Sequence, residues 1–413
     1  MNSDSFYNFV IAGGGPAGLT AAITAAKNGF KAIVLEKGDI PGPRPRGESV
    51  RLYPLLEELL GKEFFKKKCL EMDGSVVYHS PGDFQKFKIS SEQPRFFFEW
   101  RDFIDKLGAV AEEVGVVIQC NCRVIGPVRN SQGICIGVKY TDKEGKIHEV
   151  YGDTVLACDG HKSTLGQRYK IPYDTMNCPM VKCLATNKSF DIKKNPSLQF
   201  YIIGNGDLEY APTFPQSVAY MFPIDDKKME LGLMLRMTHA RKMKKTLKIP
   251  EEQSIMNVWN LLKKDYPGFS NYFKDSVIEV EEITGLSNAR LVKKVIPGPG
   301  MVVIGDSAGF IDPNGSSGIY FSMAMADFWV NMLSKKLQEL GGGRIVDQPL
   351  NELWSKQNIK FYNKAFEASR IYKKIKRSYF KISKFEWYVF KHLRTSDRIN
   401  KRWELISKLM KIA

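Results

Sequence analysis

The sequence predicts an α/β fold, in which a Rossmann-like nucleotide-binding domain is interrupted by an inserted, mainly antiparallel β-sheet domain and followed by a helical C-terminal tail. Three observations predict it. The chain opens with a strand, a glycine-rich turn, a helix and a second strand; a strand-rich stretch lies between Cys178 and Leu235; and strand Met301–Ile304 leads into another glycine-rich turn and helix. Of the 413 residues, 43% are hydrophobic and 26% charged, a globular composition that excludes disordered and collagenous classes.

The N-terminal unit contains two apolar strands, Phe6–Ala12 and Lys31–Glu36, separated by a helix that ends at Gly29. Strands without a polar face are buried on both sides, which is typical of a parallel sheet between two layers of helices. The first three elements therefore form a βαβ unit.

A glycine-rich turn connects the first strand to the helix. It contains Gly13, Gly15, Pro16, Ala17 and Gly18, in the spacing GxGxxG. Glycines at this spacing let the backbone approach a pyrophosphate, whose charge faces the N terminus of the helix. Glu36 ends the next strand 18 residues after Gly18 and can accept hydrogen bonds from an adenosine ribose. This context predicts a dinucleotide-binding site.

The remaining patterns place a helix from about Glu99, strands up to Cys158, the strand-rich second domain, a helix over Glu251–Phe273 and further helices from about Gly318. Because a late strand returns to the first domain, that domain is discontinuous. The predicted division is 1–75, 96–175 and 285–345 for the nucleotide-binding domain, 76–95 and 176–284 for the substrate domain, and 346–413 for the C-terminal region.

Two further glycine-containing turns follow predicted strands. Asp159-Gly160 follows one strand, and Gly305-Asp306 follows Met301–Ile304 and precedes the helix at Gly318. Singly, such pairs are usually only turns. A helix beginning at Gly318 would direct backbone N–H groups at a phosphate or an electron-rich ring.

Together the three turns identify a resemblance. GxGxxG with Glu36, CDGxxS at 158–163 and GDSAGF followed by a proline and Gly-Ile resemble the FAD-dependent, p-hydroxybenzoate hydroxylase-like flavoprotein superfamily, and the third segment resembles its geranylgeranyl reductase family. The resemblance covers residues 5 to about 330 and implies an FAD-binding domain. The positions it implies for FAD are Gly13, Gly15, Pro16, Ala17, Gly18, Glu36, Lys37, Arg46, Arg101, Val124, Asp159, Gly160, Asp306, Gly318 and Ile319.

The substrate-side motif departs from the family pattern. Family reductases carry PxxYxWxFP, and the matching segment reads PQSVAYMFP, with Pro215, Val218, Tyr220, Phe222 and Pro223 at the motif positions. The resemblance implies an apolar substrate along this strand, against the flavin, with Tyr220 as a polar contact. A strand of the sheet core is the alternative interpretation.

The loop after the second strand also departs from the family. It reads PGPRPRGES, without the cysteine of the reductases, and its GES is similar to the flavin-dependent halogenase branch. Halogenases carry WxWxIP, however, and Val218 and Tyr220 stand where their tryptophans would be. Glu48 of this loop and Tyr220 are the candidate catalytic residues, as proton donors.

Three hypotheses follow from the resemblance. The first is an FAD-dependent reductase of C=C bonds in a prenyl or other lipid-like substrate; the second is a flavin monooxygenase or halogenase on the same scaffold; the third is a non-catalytic lipid-binding flavoprotein at a membrane surface. No second GxGxxG follows a strand, so electrons would come from transiently bound NAD(P)H or an external donor. Scattered histidines and cysteines predict no metal site.

The net charge of +16 is concentrated at the C terminus. Lys356–Ala413 has 17 Lys and Arg against four acids, a net +13, which leaves +3 for the first 355 residues. Within 384–413, apolar residues at spacings of three and four include Trp403 and Ile406, and basic residues surround this stripe. An anionic membrane surface is one predicted partner; a helix that packs its stripe on the second domain is the alternative. Nucleic acid is not favoured, because no recognised binding motif accompanies the charge.

The sequence contains no uninterrupted apolar stretch of about 18 residues and no disulfide framework. We therefore expect a cytoplasmic protein, with peripheral attachment to the inner face of the membrane if the tail binds lipid.

Overall fold

The structure is a computed structural model. It describes residues 6–42, 46–160, 163–168, 177–191, 197–203, 217–235, 251–287, 294–311, 318–341, 347–378 and 396–412. The chain divides into two compact units. The first unit comprises residues 1–44, 103–175 and 289–379, and the second unit comprises 45–102, 176–288 and 380–413.

The described strands follow the chain in seventeen segments. They are β1 Phe6–Ala12, β2 Ala32–Leu35, β3 Gly47–Arg51, β4 Leu70–Met72, β5 Val76–His79, β6 Lys86–Ile89, β7 Arg95–Glu99, β8 Val117–Gln119, β9 Arg123–Arg129, β10 Cys135–Thr141, β11 Ile147–Ala157, β12 Asn177–Asn187, β13 Leu198–Ile203, β14 Ser217–Pro223, β15 Lys228–Leu235, β16 Ser276–Ser287 and β17 Met301–Val303.

The helices in the described ranges are α1 Pro16–Lys27, α2 Pro54–Leu60, α3 Lys62–Lys68, α4 Trp100–Glu113, α5 Thr164–Arg168, α6 Glu251–Asp265, α7 Ile319–Glu339, α8 Asp347–Leu353, α9 Lys356–Ala368, α10 at 370–378, α11 Ser396–Lys401 and α12 Trp403–Ile412. Short 3-10 turns lie at Pro81–Asp83, Ser270–Phe273 and Gly305–Ala308.

The first unit is built on a sheet in the order β8-β2-β1-β11-β10-β9, with β17 pairing with β11. Strands β8, β2, β1, β11 and β17 run parallel, as a Rossmann-like βαβ arrangement requires. Helices α1 and α7 pack together, and their buried residues are mostly small or apolar. The α/β class predicted from the sequence is confirmed.

The second unit contains a mostly antiparallel sheet in the order β16-β12-β15-β14-β13-β5-β6. One face forms a hydrophobic core with α6, whose Ile255, Val258, Trp259 and Leu262 are fully buried. The predicted helix over Glu251–Phe273 is too long at its C-terminal end. It ends at Asp265, because Pro267 cannot continue the hydrogen-bond ladder and Gly268 has φ +74°, and a 3-10 turn follows.

A second, three-stranded sheet in the order β3-β7-β4 was not anticipated from the sequence. Its strands have three to five residues, and α2 and α3 lie between β3 and β4. Since β3 and β7 pair with each other, residues 45–102 group with the second unit. The division predicted from the sequence instead assigns 45–75 and 96–102 to the nucleotide-binding domain.

The described end of the tail packs on the second unit. Ile399, Trp403 and Ile406 are at most 4% exposed and contact Tyr78, Phe87 and Ile202 of the main sheet. The alternative interpretation therefore applies to this part of the stripe: it faces protein, and its apolar side chains do not face a membrane. Other stripe positions, Trp387, Phe390 and Leu393, lie outside the described residues.

Candidate functional site

The glycine turn of the first unit combines two crowded glycines with one open glycine. A Cβ at Gly13, whose φ is +103°, would lie 2.4 Å from the Cys158 carbonyl oxygen, and a Cβ at Gly18 would lie 1.9 Å from that of Gly13. A Cβ at Gly15 would meet none of the described atoms within 4 Å. Gly15 is also the N-cap of α1, and Pro16 opens the helix. The open backbone therefore lies where helix N–H groups can bind an anion.

Glu36, at the end of β2, is held by backbone N–H groups. Its Oε2 accepts a hydrogen bond from the Gly14 N–H at 2.7 Å, and its Oε1 accepts one from the Gly38 N–H at 2.8 Å. The residue is only 6% exposed. A carboxylate has about four acceptor positions, so it retains capacity for ribose hydroxyls.

The second and third turns lie beside the first. Asp159 Oδ2 caps α5 by accepting from the Thr164 N–H at 2.7 Å, and the Ser307 hydroxyl donates to Asp159 Oδ1 at 3.1 Å. On the other side, a Cβ at Gly305 would lie 3.2 Å from the Ala17 Cβ of α1. Because β1, β11 and β17 are parallel neighbours, their carboxyl ends bring the three turns together.

The start of α7 completes this cluster. Gly318 is the N-cap of α7 and Ile319 its first residue, and a Cβ at Gly318 would lie 3.3 Å from Asp306 Oδ1. The carbonyl oxygen of Gly160 is a second acceptor for the Ser307 hydroxyl, at 3.2 Å. Gly315 and the rest of 312–317 lie outside the described residues.

Two further positions implied for FAD lie in the first unit. Val124 is buried on β9, and the nearby Cys122 N–H donates to the Glu36 carbonyl at 2.8 Å. Lys37 follows Glu36 and is exposed.

Two other positions implied for FAD, Arg46 and Arg101, group with the second unit. Arg46 pairs with Glu48 at 2.8 Å and lies 3.8 Å above the Trp100 ring, while Arg101 is in the first turn of α4. Glu48, a candidate proton donor, is thus paired with an arginine within its own unit.

The second unit carries the substrate-motif strand β14. Val218, Tyr220 and Phe222 point to the sheet face opposite the α6 core, where Tyr78 and Phe200 join them through the register of β5, β13 and β14. Ring centroids are 4.7 Å apart for Tyr220–Phe222 and 5.4 Å for Tyr78–Phe200. We call these five residues the aromatic face. Pro223 ends the strand and is buried; Pro215 lies outside the described residues.

Tyr220 is fixed by a buried polar cluster that includes Glu230 and Lys182. Its hydroxyl donates to Glu230 Oε1 at 3.0 Å, Gly47 N–H donates to Glu230 Oε2 at 2.8 Å, and Lys182 Nζ lies 3.7 Å from Oε2. The ring lies over Gly232, where a Cβ would be 2.2 Å from Cζ.

The electrostatics of this cluster limit what Tyr220 can do. Burial, followed by the charge of Glu230, raises the pKa of Tyr220 well above its usual value, and burial likewise raises the pKa of Glu230. A phenol that donates to a buried carboxylate is a weak acid. The arrangement favours Tyr220 as a fixed wall of a binding surface over Tyr220 as a proton donor.

Sequence reasoning missed Glu230 and Lys182. Both stand inside apolar strands, MELGLML and PMVKCLAT, and a charge in the middle of such a strand was the available signal. Lys182 and Tyr220 lie on the two strands that flank β15, and each pairs with Gly232 of that strand. This register brings both side chains to Glu230.

Comparison with known proteins agrees with this geometry. The model of the family described as FAD binding domain matches residues 7–348. A digeranylgeranylglycerophospholipid reductase of Methanopyrus kandleri is 22% identical over 373 residues, which cover 89% of this chain and 86% of the relative.

Two solved structures share the fold. A geranylgeranyl bacteriochlorophyll reductase-like protein of Thermoplasma acidophilum superposes with a TM-score of 0.75 at 20% identity, covering 98% of this chain and 92% of that one. A triple mutant of a flavin-dependent brominase gives a TM-score of 0.68 at 17% identity, covering 98% and 94%. The resemblance identified from the three turns is confirmed.

Proposed function

The chain belongs to the FAD binding domain family and is an FAD-dependent oxidoreductase, and from this premise we propose that it reduces C=C bonds of a prenyl or other lipid-like substrate. The observation that supports flavin chemistry most directly is the meeting of three glycine turns at the carboxyl ends of β1, β11 and β17. The name of the Methanopyrus relative supports the substrate class.

The residues at the three turns fit FAD. In this proposal, the open backbone of Gly15 and the N terminus of α1 bind the pyrophosphate, and Glu36 accepts from the adenosine ribose. Asp306 binds the ribityl-pyrophosphate region, and Gly318-Ile319 lie near the ring system. Reduced FAD, when bound, supplies the hydride, and the protein supplies binding, orientation and exclusion of water.

On the substrate side, the aromatic face supports an apolar ligand. Val218, Phe222 and Phe200 are only partly buried, whereas Tyr78 packs against the tail and the opposite face of the sheet carries the buried core cluster. Aromatic rings of fixed orientation can align an isoprenoid chain with little loss of side-chain entropy. Tyr220, held by Glu230, sets the position of the neighbouring Phe222 ring.

The experiment that tests this proposal is anaerobic. The flavin is reduced, by NAD(P)H or by dithionite as an external donor, and the reduced protein is then mixed with a geranylgeranyl lipid or with its fully saturated counterpart. We expect the flavin absorbance to return with the unsaturated lipid only, together with a product two mass units heavier per double bond. Absence of reoxidation with every polyprenyl lipid tried would reject the reductase.

The same samples distinguish the reductase from a monooxygenase, the alternative that the fold shared with the brominase suggests. A monooxygenase would leave the reduced flavin unchanged under anaerobic conditions and would consume oxygen in proportion to a hydroxylated product. Electron transfer from NADPH or NADH alone, without a partner protein, would identify the donor.

A kinetic comparison tests the aromatic face. Tyr220→Ala should raise KM for a long-chain substrate or lower kcat, because the ring of Phe222 loses its neighbour at 4.7 Å. Lys86→Gln, an exposed change on β6, is the matched control. Unaltered kinetics of Tyr220→Ala across several chain lengths would remove this strand from the site.

We also propose that the exposed basic residues of the tail assist binding to an anionic bilayer, since Lys401 and Arg402 remain exposed while Ile399 and Trp403 are buried. Each apposed basic residue contributes about 1 kcal/mol on anionic lipid. Lys401→Glu/Arg402→Glu should therefore reduce flotation with anionic vesicles at low salt and not with neutral ones. Equal flotation of variant and parent would refute it. In the described ranges, no helix has the length and apolar character needed to cross a membrane.

A further inference from the structure

Two arginines of the small sheet lie side by side in the second unit. Arg51 ends β3 and Arg95 begins β7, and the antiparallel register pairs them directly. Cross-strand partners share a face and have Cβ atoms about 5 Å apart, at which distance like charges destabilise a sheet. Repulsion between these two positive charges therefore destabilises the small sheet unless a negative charge offsets it.

Neither arginine has a carboxylate partner among the described residues. The Arg95 Nη1 donates to the Ser49 hydroxyl at 3.0 Å, and its buried Nε has no hydrogen-bond acceptor within the described ranges. Burial, followed by the neighbouring Arg51, lowers the pKa of Arg95 to about 10. A guanidinium that is partly desolvated and adjacent to a second one lacks compensation in the described part of the chain.

The arginine pair is linked to the aromatic face through β4, because Met72 of β4 pairs with Arg95 and β5, which carries Tyr78, begins four residues later. Burial raises the pKa of Tyr78 to about 12, and the positive charge of Arg95 acts in the opposite direction. Tyr78 in turn stacks on Phe200, with ring centroids 5.4 Å apart. A cationic pair followed by aromatic rings matches an amphipathic ligand, with an anionic group at one end and an apolar chain beyond it.

We propose that Arg51 and Arg95 bind the phosphate group of a lipid-like ligand whose chain extends along the aromatic face. Two guanidinium groups can each offer paired N–H donors to phosphate oxygens, and phosphate is the anion that this geometry fits best. The inference names the polar group of the substrate and so rests on the proposed function.

The test measures binding to the oxidised, FAD-loaded protein without turnover. The ligands are geranylgeranyl diphosphate and geranylgeraniol, which share the chain and differ in the phosphate. Arg51→Gln and Arg95→Gln should each weaken binding of the diphosphate at least tenfold and change binding of the alcohol less than twofold. Lys86→Gln, which removes one exposed positive charge from the same unit, should leave both affinities unchanged.

Competition identifies the source of the phosphate. Displacement of the diphosphate by short-chain phosphatidic acid but not by inorganic pyrophosphate assigns the pair to a lipid phosphate. Displacement by pyrophosphate alone assigns it to a free phosphate. Displacement by neither refutes a phosphate site.

Thermal unfolding without added lipid provides a second measurement. Because each substitution removes a like-charge contact, the melting temperature should be unchanged or higher. A lower melting temperature in both variants, with unaltered affinities, would show that the arginines are structural and would overturn the inference. If Arg95→Gln does not fold, Arg51→Gln decides. Arginine-dependent binding by a protein that reduces no lipid would refute only the proposed function, and arginine-independent binding by an active reductase would refute only this inference.

Discussion

Substitution of Gly15 by alanine separates the structural and the ligand-binding roles of the glycine turn. A Cβ at Gly15 meets no atom of the described residues within 4 Å. Alanine is a poorer N-cap than glycine by about 0.5–1 kcal/mol, and it restricts the unfolded chain by about 0.4–1 kcal/mol, so the two effects nearly cancel. We expect the stability of the FAD-free protein to change by less than about 1 kcal/mol.

With FAD the expected result differs, because the methyl group would occupy the space that a pyrophosphate oxygen needs. The loss of one charge-assisted hydrogen bond costs about 1.5–3 kcal/mol, which corresponds to a roughly ten- to hundredfold weaker affinity. The assay is fluorescence titration of the deflavinated protein with FAD, accompanied by thermal unfolding with and without the cofactor.

Two other glycines provide matched controls. A Cβ at Gly18 would lie 1.9 Å from the Gly13 carbonyl oxygen, so Gly18→Ala should destabilise even the FAD-free protein, by about 1–3 kcal/mol. Gly108, inside α4, has open space around its Cβ position, and Gly108→Ala should stabilise by about 0.5–1 kcal/mol without affecting FAD. Wild-type affinity in Gly15→Ala, or equal flavin loss in all three variants, would refute the placement of the pyrophosphate.

Three further predictions concern stability. Burial raises the pKa of Asp153 from 3.8 to about 6, so between these pH values the folded state retains a proton that the unfolded state has lost. The free energy of unfolding should therefore fall as pH rises through this window, by at most about 3 kcal/mol. Urea titrations of Asp153→Asn should show no such fall. Glu230→Gln should cost up to about 3–5 kcal/mol, because it removes the buried negative charge 3.7 Å from Lys182 Nζ, and the double variant with Lys182→Met should recover most of the urea midpoint; no recovery would argue against coupling. Trp403→Ala should cost about 3–5 kcal/mol locally and speed amide exchange in 396–412; unchanged exchange would contradict the packing of the tail.

The predictions from sequence succeeded where the signal is local. The glycine turn at Gly13–Gly18, its flanking strands and the acid at Glu36 are contiguous patterns, and the structure has them as β1, α1 and β2. The two later turns, Asp159-Gly160 and Gly305-Asp306, were each weak alone. Their combination indicated the flavoprotein family because the residues of one ligand site are set at fixed places in a common fold.

Prediction from local sequence patterns failed for short strands and for the C-terminal end of a helix. Strands β3, β4 and β7 have five residues or fewer, too few for a two-residue period to be distinguished from chance. The pairing of these same short strands groups residues 45–102 with the second unit. At the C terminus, periodicity placed Ile399, Trp403 and Ile406 on one stripe, as the structure has them, but contained no information on what covers it.

The sequence by itself determined the α/β class and the positions of the three turns, because these depend on hydrophobic period and glycine spacing within short windows; the family was indicated by the resemblance of those turns to known flavoproteins. Only the tertiary structure decided that Tyr220 is held by Glu230 and that Arg51 lies beside Arg95. Those contacts join strands up to 44 residues apart along the chain, through strand register. A one-residue slip of register would turn every side chain to the opposite face, so charges on separate strands acquire a chemical role only once the sheets have formed.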